Sequence, residues 1–269
     1  MMVPRRHYKK IGEKLSVVGL GTWAVRDEGR ALDVIVEGVM EYGINTIDTA
    51  EIYGGGSAEA LVGMVIKEVG RDEVFVTTKL PPNRFRSPEE ALRAARASLN
   101  RLGVEEVDLL LIHWPDYTLG IDVMIKNLER IADEGLARFI GVSNFDKALL
   151  EEAVQATRKH EIVADQIHYS ILARDAERES LIKYAEDNGL LIQAYRAIEL
   201  GRVNYNDRIR EAAERLGLTP VKLAIAYVIN ACRACMALVK TENKDHLKEI
   251  VEASTITLGE PTLSELRRI

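Results

Sequence analysis

The chain has 269 residues, 47% of them hydrophobic and 29% charged, with a formal net charge of −6. This composition is typical of one large α/β domain, 1–269, and provides no basic face for nucleic acid. The basic segment 4–10 is too short to change that. The N-terminus lacks the apolar segment of a secretory signal, and no run of about 18 uncharged apolar residues occurs. We therefore expect a cytoplasmic protein without a membrane partner.

Eight short apolar runs alternate with longer amphipathic stretches along the chain. The runs are 17–21, 45–49, 74–79, 107–113, 138–143, 163–168, 190–195 and 235–240. Nearly continuous apolar runs indicate parallel strands that are covered on both faces. Eight strand–helix alternations predict a (β/α)8 TIM barrel. Two further short runs around Gly12 predict a β-hairpin before the first barrel strand.

Two of the amphipathic stretches carry clear helix-start signals. In each of them a side chain that can cap the helix precedes a proline in the first turn. The pairs are Ser87 with Pro88, and Thr219 with Pro220. Gly103 is expected to end the first of these helices.

A rival fold is suggested by GLGTWA, 19–24, which matches the dinucleotide fingerprint G-x-G-x-x-A, with Glu41 about twenty residues beyond it. That fingerprint needs a helix to begin at once. The segment RDEGR, 26–30, places charges and another glycine there instead. We therefore favour the barrel over a Rossmann fold.

The only cysteines, Cys232 and Cys235, form a single C-x-x-C pair. Without a second ligand pair it makes a poor zinc site, and no metal is predicted. We expect two ordinary buried thiols rather than a redox pair.

Polar residues end most of the predicted barrel strands, and in such barrels the chemistry lies at the carboxyl ends of the strands. Taken singly, each is more often a turn, solvated or structural residue. Their convergence on one rim favours a catalytic site. These residues are Asp48, Lys79, His113, Ser143, Asn144, Gln166, Tyr195 and Lys240, with Tyr53 shortly after Asp48.

A tyrosine, a lysine and an aspartate at this rim suggest acid–base chemistry. An ammonium at Lys79 would stabilise the phenolate of Tyr53 and lower its pKa. Asp48 is the candidate counter-charge that keeps Lys79 charged in a partly dry barrel mouth. His113 is placed to orient a substrate carbonyl or to share its proton. None of these side chains can transfer electrons to or from a substrate, so a hydride donor must come from a cofactor.

Six motifs stand in the same order as in the aldo-keto reductase family, which the chain resembles over essentially its whole length. They are IDTAEIYGGG, VTTKL, LLLIHWPD, IGVSNF, DQIHY and AYRAI. The resemblance implies a (β/α)8 barrel that reduces aldehydes and ketones with NADPH and without a metal. It also implies Tyr53 as general acid, Lys79 and Asp48 as the groups that tune it, and His113 as the group that positions the carbonyl.

The resemblance extends to the cofactor. It implies that Ser143, Asn144 and Gln166 bind the nicotinamide amide and that Tyr195 stacks on the nicotinamide ring. Arg196 stands where the family commonly has a serine; contact with the pyrophosphate and a plain surface charge remain equal alternatives for it.

The family segment after the last strand contacts the 2′-phosphate of NADPH, and Lys240 and Thr241 match it. His246 occupies the position of a family arginine, so a planar guanidinium is missing at a site that favours one. Lys244 or Lys248 is the candidate replacement, and Glu249 is a further cofactor-binding candidate. We expect NADP(H) to be favoured, with NAD(H) as the alternative.

The loops that build a substrate pocket are short in this sequence. Only WPDYTLG, 114–120, separates His113 from the next helical stretch, and the sequence ends at TLSELRRI, 262–269. Short loops predict a shallow, wet pocket and broad use of small aldehydes or ketones. Trp23 and Trp114 are the expected aromatic walls.

Two other functions remain in competition. A cofactor sensor or regulatory subunit would need the dinucleotide site but not the proton donor. An isomerase or aldolase would use Lys79 as a Schiff base. The reductase is favoured because its whole set of residues is present: Asp48, Tyr53, Lys79 and His113. The sequence is consistent with both a monomer and a homo-oligomer.

Overall fold

The computed structural model describes residues 1–269. The strands are β1 Arg5–Tyr8, β2 Glu13–Ser16, β3 Val18–Gly21, β4 Thr46–Asp48, β5 Phe75–Leu80, β6 Val107–Ile112, β7 Ala137–Ser143, β8 Ile162–His168, β9 Leu191–Tyr195 and β10 Cys235–Val239. Strands β3 to β10 form a closed parallel barrel, in which β10 pairs with both β9 and β3. Strands β1 and β2 form an antiparallel hairpin. The predicted (β/α)8 barrel with an N-terminal hairpin is confirmed.

Helices connect the barrel strands. They are α1 Glu28–Met40, α2 Ser57–Val69, α3 Pro88–Leu102, α4 Ile121–Asp133, α5 Lys147–Ala156, α6 Asp175–Arg178, α7 Leu181–Asn188, α8 Asp207–Arg215, α9 Pro220–Ala231, α10 Lys244–Ser254 and α11 Glu260–Leu266. Short 3₁₀ turns occupy Tyr53–Gly56, Arg71–Glu73, Pro82–Phe85 and Glu199–Tyr205. None of the helices combines the length and the apolar character that crossing a membrane requires.

The predicted start and end of α3 and the predicted start of α9 are confirmed. The Ser87 hydroxyl accepts the Glu90 N–H at 3.2 Å, and the Thr219 hydroxyl accepts the Lys222 N–H at 3.1 Å. Gly103 ends α3 in the left-handed conformation, at φ 69°. These local signals hold because each satisfies a backbone group that a helix end leaves free.

The rival Rossmann interpretation of segment 19–24 is excluded. Strand β3 ends at Gly21, and α1 begins only at Glu28, after Asp27 has capped it. The glycines are therefore followed by a loop rather than by the helix N-terminus that a Rossmann fold uses to bind pyrophosphate.

The hairpin closes the amino-terminal end of the barrel. Its residues Tyr8, Ile11 and Leu15 pack with strand residues such as Leu109 and Met236 in a buried cluster inside the barrel. A larger cluster of 71 buried residues lies mainly between the strands and the surrounding helices. The carboxyl ends of the strands form the opposite rim of the barrel, where the polar residues singled out in the sequence lie.

The expectation of two free thiols is wrong, because Cys232 and Cys235 are joined in a disulfide. Both residues are buried, as expected. They flank the tight turn between α9 and β10, where the Arg6 guanidinium donates to the carbonyl oxygens of Ile229, Cys232 and Cys235 at 2.7, 3.1 and 3.0 Å. The turn brings the two Cα atoms to 5.2 Å, a separation that a disulfide spans without backbone movement.

Candidate active site

Asp48, Lys79 and Tyr53 meet at the carboxyl rim of the barrel. Lys79 lies on β5, and its Nζ donates to Asp48 Oδ1 at 2.7 Å, to the Thr49 carbonyl at 2.7 Å and to Tyr53 Oη at 3.3 Å. The lysine is fully buried, at 0% exposure. An ammonium has three N–H donors, and these three partners satisfy all of them.

The charges of this cluster are set by burial and by the ion pair. Burial favours the neutral amine of Lys79, but the Asp48 carboxylate and Tyr53 outweigh it and raise the pKa of Lys79 above its ordinary value of 10.5. Burial also raises the pKa of Tyr53 above 10.0, and the Lys79 ammonium opposes this only in part. The net lowering expected from the sequence is not found. Tyr53 therefore keeps its proton at neutral pH, as a general acid must.

The three glycines after Tyr53 impose the backbone conformation at this point. Gly54, Gly55 and Gly56 have φ angles of 57°, 64° and 101°, all in the left-handed region. A Cβ on Gly56 would lie only 2.7 Å from Cδ of Arg101. The three glycines therefore impose a turn, and α2 begins at Ser57 directly after it.

His113 follows β6 and faces Tyr53 edge-on, with ring centroids 5.6 Å apart and planes at 75°. Burial, with a smaller contribution from Lys79, lowers the pKa of His113 to about 3. The imidazole is therefore neutral at neutral pH. Such a ring can donate a hydrogen bond to a carbonyl, but it is a poor source of a proton there.

The residues expected at the nicotinamide amide also come together. The Ser143 hydroxyl donates to the main-chain carbonyl of Gln166 at 2.8 Å. The Asn144 amide donates to the His113 carbonyl at 2.9 Å and accepts from the Tyr195 hydroxyl at 2.7 Å. Asn144 has a φ of 62°, a left-handed conformation that asparagine tolerates better than most residues. These contacts join the ends of β6, β7, β8 and β9.

Gln166 is held from two sides inside the barrel. Its Nε2 donates to Asp48 Oδ1 at 2.7 Å and to Gln193 Oε1 at 2.9 Å. Gln193 Nε2 in turn donates to Thr77 Oγ1 at 3.0 Å. Both amide protons of Gln166 are thus used, and its Oε1 remains as the acceptor for a ligand. Gln193 and Thr77 were missed, although a glutamine within the apolar run 190–195 was a visible signal.

Tyr195, at the end of β9, has one face covered. His168 stacks on it with ring centroids 5.6 Å apart and planes at 15°, and His168 Nε2 lies 2.6 Å from Glu199 Oε1. Arg196 is exposed and has a φ of 56°. The stacked pair fixes the plane of the Tyr195 ring at the rim.

The residues expected near the 2′-phosphate lie farther along the rim, after β10. Lys240 forms an ion pair with Glu242 and donates to the Ala24 carbonyl at 3.2 Å. Thr241 Oγ1 accepts the Asn243 N–H at 3.0 Å. His246 is exposed in the first turn of α10, where its N–H donates to Asn243.

Two contacts in this region were not foreseen from the sequence. Glu249, on α10, accepts a hydrogen bond from the Thr219 hydroxyl and is thereby tied to the start of α9. Glu242, which had no assigned role, is the partner of Lys240. The sequence signal for that pair is the position of Glu242 two residues after Lys240 in the segment KTEN, 240–243.

Aromatic and apolar side chains are exposed on the loops that follow β3, β4 and β6. Trp114 packs on His113 with ring centroids 4.5 Å apart and is 38% exposed. Trp23 is 47% exposed on the loop between β3 and α1. Ile52 and Tyr117, not singled out in the sequence, are 45% and 78% exposed on neighbouring loops. The loops at this end of the barrel therefore expose apolar groups to solvent.

An ion pair braces the loop that carries Tyr53. Arg84, in the loop after β5, donates from Nε and Nη2 to Glu51 Oε1 at 3.1 and 2.7 Å. The Glu51 N–H donates to the Lys79 carbonyl at 3.0 Å. The fork-shaped guanidinium thus ties the two loops that hold the acid and the ammonium.

Known reductases resemble this chain in sequence. The model of the aldo/keto reductase family matches residues 17–269. A methylglyoxal reductase, DkgB, of Yersinia pestis is 32% identical over 222 residues, which cover 80% of this chain and 79% of the relative. An NADH-specific methylglyoxal reductase of Escherichia coli is 33% identical over 216 residues, which cover 70% of this chain and 65% of the relative.

Solved structures agree with the fold. A thermostable aldo-keto reductase, Tm1743, in complex with the inhibitor epalrestat superposes with a TM-score of 0.90 at 32% identity, covering 99% of each chain. An aldo-keto reductase from Klebsiella pneumoniae in complex with NADPH gives a TM-score of 0.89 at 26% identity, covering 100% of this chain and 95% of the other.

Proposed function

The chain belongs to the aldo/keto reductase family, and on that premise we propose that it reduces small aldehydes and ketones to alcohols, with a nicotinamide dinucleotide as hydride donor. The observation that carries the proposal is the arrangement of Tyr53, Lys79 and Asp48. Tyr53 Oη lies 3.3 Å from an ammonium that is itself paired with a carboxylate at 2.7 Å.

The roles of the side chains follow from their charges. Tyr53 donates its phenolic proton to the carbonyl oxygen, and the Lys79 ammonium stabilises the phenolate that remains. Asp48 keeps Lys79 charged although that side chain is buried. His113 is neutral and orients the carbonyl by a hydrogen bond, which assigns the proton transfer to Tyr53 alone.

The residues of the rim fit a dinucleotide. When bound, that cofactor supplies the hydride, which no side chain of the site can provide. Ser143, Asn144 and Gln166 are the proposed contacts of the nicotinamide amide, with Gln166 Oε1 as an acceptor that no other group uses. The face of Tyr195 opposite His168 is the proposed stacking surface. The exposed cation Arg196 is the proposed contact for the pyrophosphate.

At the other end of the cofactor, Lys240, Thr241, His246 and Glu249 are the proposed contacts for the adenosine and its 2′-phosphate. NADP(H) is the favoured dinucleotide, because a Klebsiella relative is known in complex with NADPH. NAD(H) is the alternative, since an Escherichia coli relative is NADH-specific.

The substrate range follows from the loops at the carboxyl rim of the barrel. Short loops and the exposed side chains of Trp23 and Trp114 leave little surface to discriminate between carbonyl compounds. We therefore assign small aldehydes and ketones of broad structure, and methylglyoxal is a suitable probe because two relatives are named for its reduction. A sensor with little turnover is not favoured, since it would have no use for the Lys79–Tyr53 contact.

The decisive experiment compares wild type with Tyr53→Phe. Oxidation of NADPH is followed with methylglyoxal and a panel of aldehydes, while fluorescence titration measures NADPH binding. We expect kcat to fall by roughly 10² to 10⁴-fold with nucleotide affinity retained, because only the general acid is removed. Tyr184→Phe, on α7, is the matched control. Wild-type turnover no higher than that of Tyr53→Phe would exclude the reductase, and tight NADPH binding without turnover would establish the sensor.

A further inference from the structure

The lysine proposed to contact the 2′-phosphate is already engaged by an acid. Lys240 Nζ forms an ion pair with Glu242, and the Glu242 side chain is 16% exposed. Both residues follow β10 in the same short loop, which ends where Asn243 caps α10. A carboxylate therefore lies where a phosphate dianion would have to approach.

Glu242 is held in place from a second direction. Its Oε1 accepts the Arg26 N–H at 3.0 Å, and its Oε2 accepts the Asp27 N–H at 3.2 Å. Burial raises the pKa of Glu242, but Lys240 and the two N–H donors outweigh it, and the net pKa lies below the ordinary value of 4.5. The side chain is thus charged at neutral pH, and it joins the loop after β10 to the loop after β3.

The other lysines in this region have acid partners as well. Lys244 Nζ lies 2.7 Å from Glu37 Oε2, and Lys248 Nζ lies 3.8 Å from Asp245 Oδ1. Each of the three lysines near the proposed phosphate site is therefore paired with an acid of the protein. A phosphate that binds Lys240 must displace Glu242 from it or tolerate a like charge beside it.

We propose that Glu242 is a specificity-determining residue that narrows the preference for NADPH over NADH. This inference rests on the proposed function and on the assignment of Lys240 to the 2′-phosphate. The carboxylate competes with the 2′-phosphate for the Lys240 ammonium, whereas NADH has no phosphate there and leaves the pair intact. The preference of the wild-type protein for NADPH over NADH is therefore smaller than an unpaired Lys240 would give.

Glu242→Gln tests the proposal, because glutamine has the same shape, loses the charge and still offers one oxygen to the N–H groups of Arg26 and Asp27. Dissociation constants for NADPH and NADH are measured by tryptophan fluorescence. We expect the ratio to shift about tenfold toward NADPH, with NADH affinity nearly unchanged, because one like charge near a partly exposed phosphate is removed. Glu260→Gln, which removes the partner of Arg267 on α11, is the control and leaves the ratio unchanged.

Two fragments separate the charge effect from a change in the loop. Affinity for 2′,5′-ADP rises in Glu242→Gln together with that for NADPH, whereas affinity for 5′-AMP stays constant. Equal changes for both fragments would show that Glu242 acts by holding the loop at Arg26 and Asp27, which overturns the proposal. Circular dichroism checks that the variant is folded.

The wild-type protein gives an independent answer should the variant fold poorly. A preference for NADPH of more than about a hundredfold would contradict the proposal, since it would require a phosphate site free of a competing charge. If neither dinucleotide binds the wild type, the proposed function fails and this inference fails with it. Binding and turnover with an unchanged ratio in Glu242→Gln would overturn the role of Glu242 alone.

Discussion

Lys79 Nζ lies 2.7 Å from Asp48 Oδ1, in an ion pair whose side chains are 0% and 7% exposed. The same carboxylate oxygen accepts a hydrogen bond from Gln166 at 2.7 Å, and the same ammonium donates to Tyr53 at 3.3 Å. One buried pair of charges thus holds Tyr53, the proposed proton donor, and Gln166, the proposed nicotinamide contact. It also stabilises the barrel rim.

Removing one partner of this pair should cost more than removing both. Lys79→Met and Asp48→Asn each leave a buried charge without its counter-charge, and we expect each to lower the free energy of unfolding by roughly 3 to 5 kcal/mol. The double variant recovers part of that loss, because no isolated charge remains. Urea unfolding of the four proteins measures the coupling.

An exposed ion pair provides the control for this cycle. Lys183 and Asp187 on α7 are 75% and 59% exposed and lie 2.9 Å apart. Lys183→Met should change stability by less than about 1 kcal/mol. Additive losses for Lys79→Met and Asp48→Asn would show that the buried pair contributes no coupling.

His113 should remain neutral throughout the range in which the protein is assayed. Its pKa is lowered to about 3, mainly by burial, so we expect no titration of its imidazole NMR signals between about pH 5 and 8. His113→Gln identifies those signals. A midpoint for His113 near its ordinary pKa would contradict the neutral role assigned to it.

The same shift predicts how stability depends on pH. The folded pKa of His113 is about 3 and its ordinary value is 6.5, so the unfolded chain binds this proton at a pH where the folded chain does not. The stabilising contribution is therefore complete above about pH 6.5 and is lost as the pH falls toward 3. Between pH 7 and 5, wild type should lose about 2 kcal/mol more of its unfolding free energy than His113→Gln. Equal losses in urea titrations would contradict this.

Adjacent glycines after Tyr53 should respond differently to substitution. Gly55 has a φ of 64° and open space within 4 Å of where a Cβ would lie, whereas a Cβ on Gly56 would meet Arg101 Cδ at 2.7 Å. We expect Gly55→Ala to destabilise by about 1 kcal/mol, the cost of the left-handed conformation. Gly56→Ala should cost about 3 kcal/mol, because strain and a clash combine there.

Arg101 has little freedom to relieve that clash, since its Nε donates to the buried Glu59 at 2.7 Å. Because Gly56 lies next to the turn that places Tyr53, Gly56→Ala should also lower kcat, whereas Gly55→Ala should affect it less. Thermal unfolding and initial rates measure the two effects. Equal destabilisation by the two substitutions would show that Arg101 moves aside.

The barrel could be predicted because its signals are local. Apolar runs and the caps at Ser87 and Thr219 each act over a few residues, and the closed topology then brings the strand ends to one rim. For the same reason Asp48, Lys79 and His113 could be assigned to one site without knowledge of any distance.

What could not be predicted are partnerships between distant residues and the balance of opposing effects. Glu51 with Arg84, and Gln193 with Thr77, are contacts that only the folded chain creates. The direction of the Tyr53 pKa depends on whether burial or Lys79 has the larger effect, which composition does not reveal. The disulfide likewise depends on the distance between the Cα atoms of Cys232 and Cys235, which the turn before β10 determines.

Asp165 is a buried acid that takes no part in the proposed chemistry. It follows Ala164 on β8 and precedes Gln166, and because Gln166 points into the barrel, Asp165 points away from it. It is 0% exposed, and neither carboxylate oxygen has a side-chain hydrogen-bond partner. Burial raises the pKa of Asp165 well above its ordinary range, and the Phe145 N–H opposes this only in part.

Asp165→Asn should therefore stabilise the protein at neutral pH. The folded state holds a proton that the unfolded chain releases above about pH 3.9, so the cost of Asp165 grows as the pH rises from there toward its folded pKa. We expect a gain in the free energy of unfolding at pH 7 that shrinks toward pH 4. Urea unfolding at both pH values measures it, with Asp187→Asn, at an exposed position, as the control. A loss of stability at pH 7 would show that Asp165 is ionised and satisfied in the folded protein.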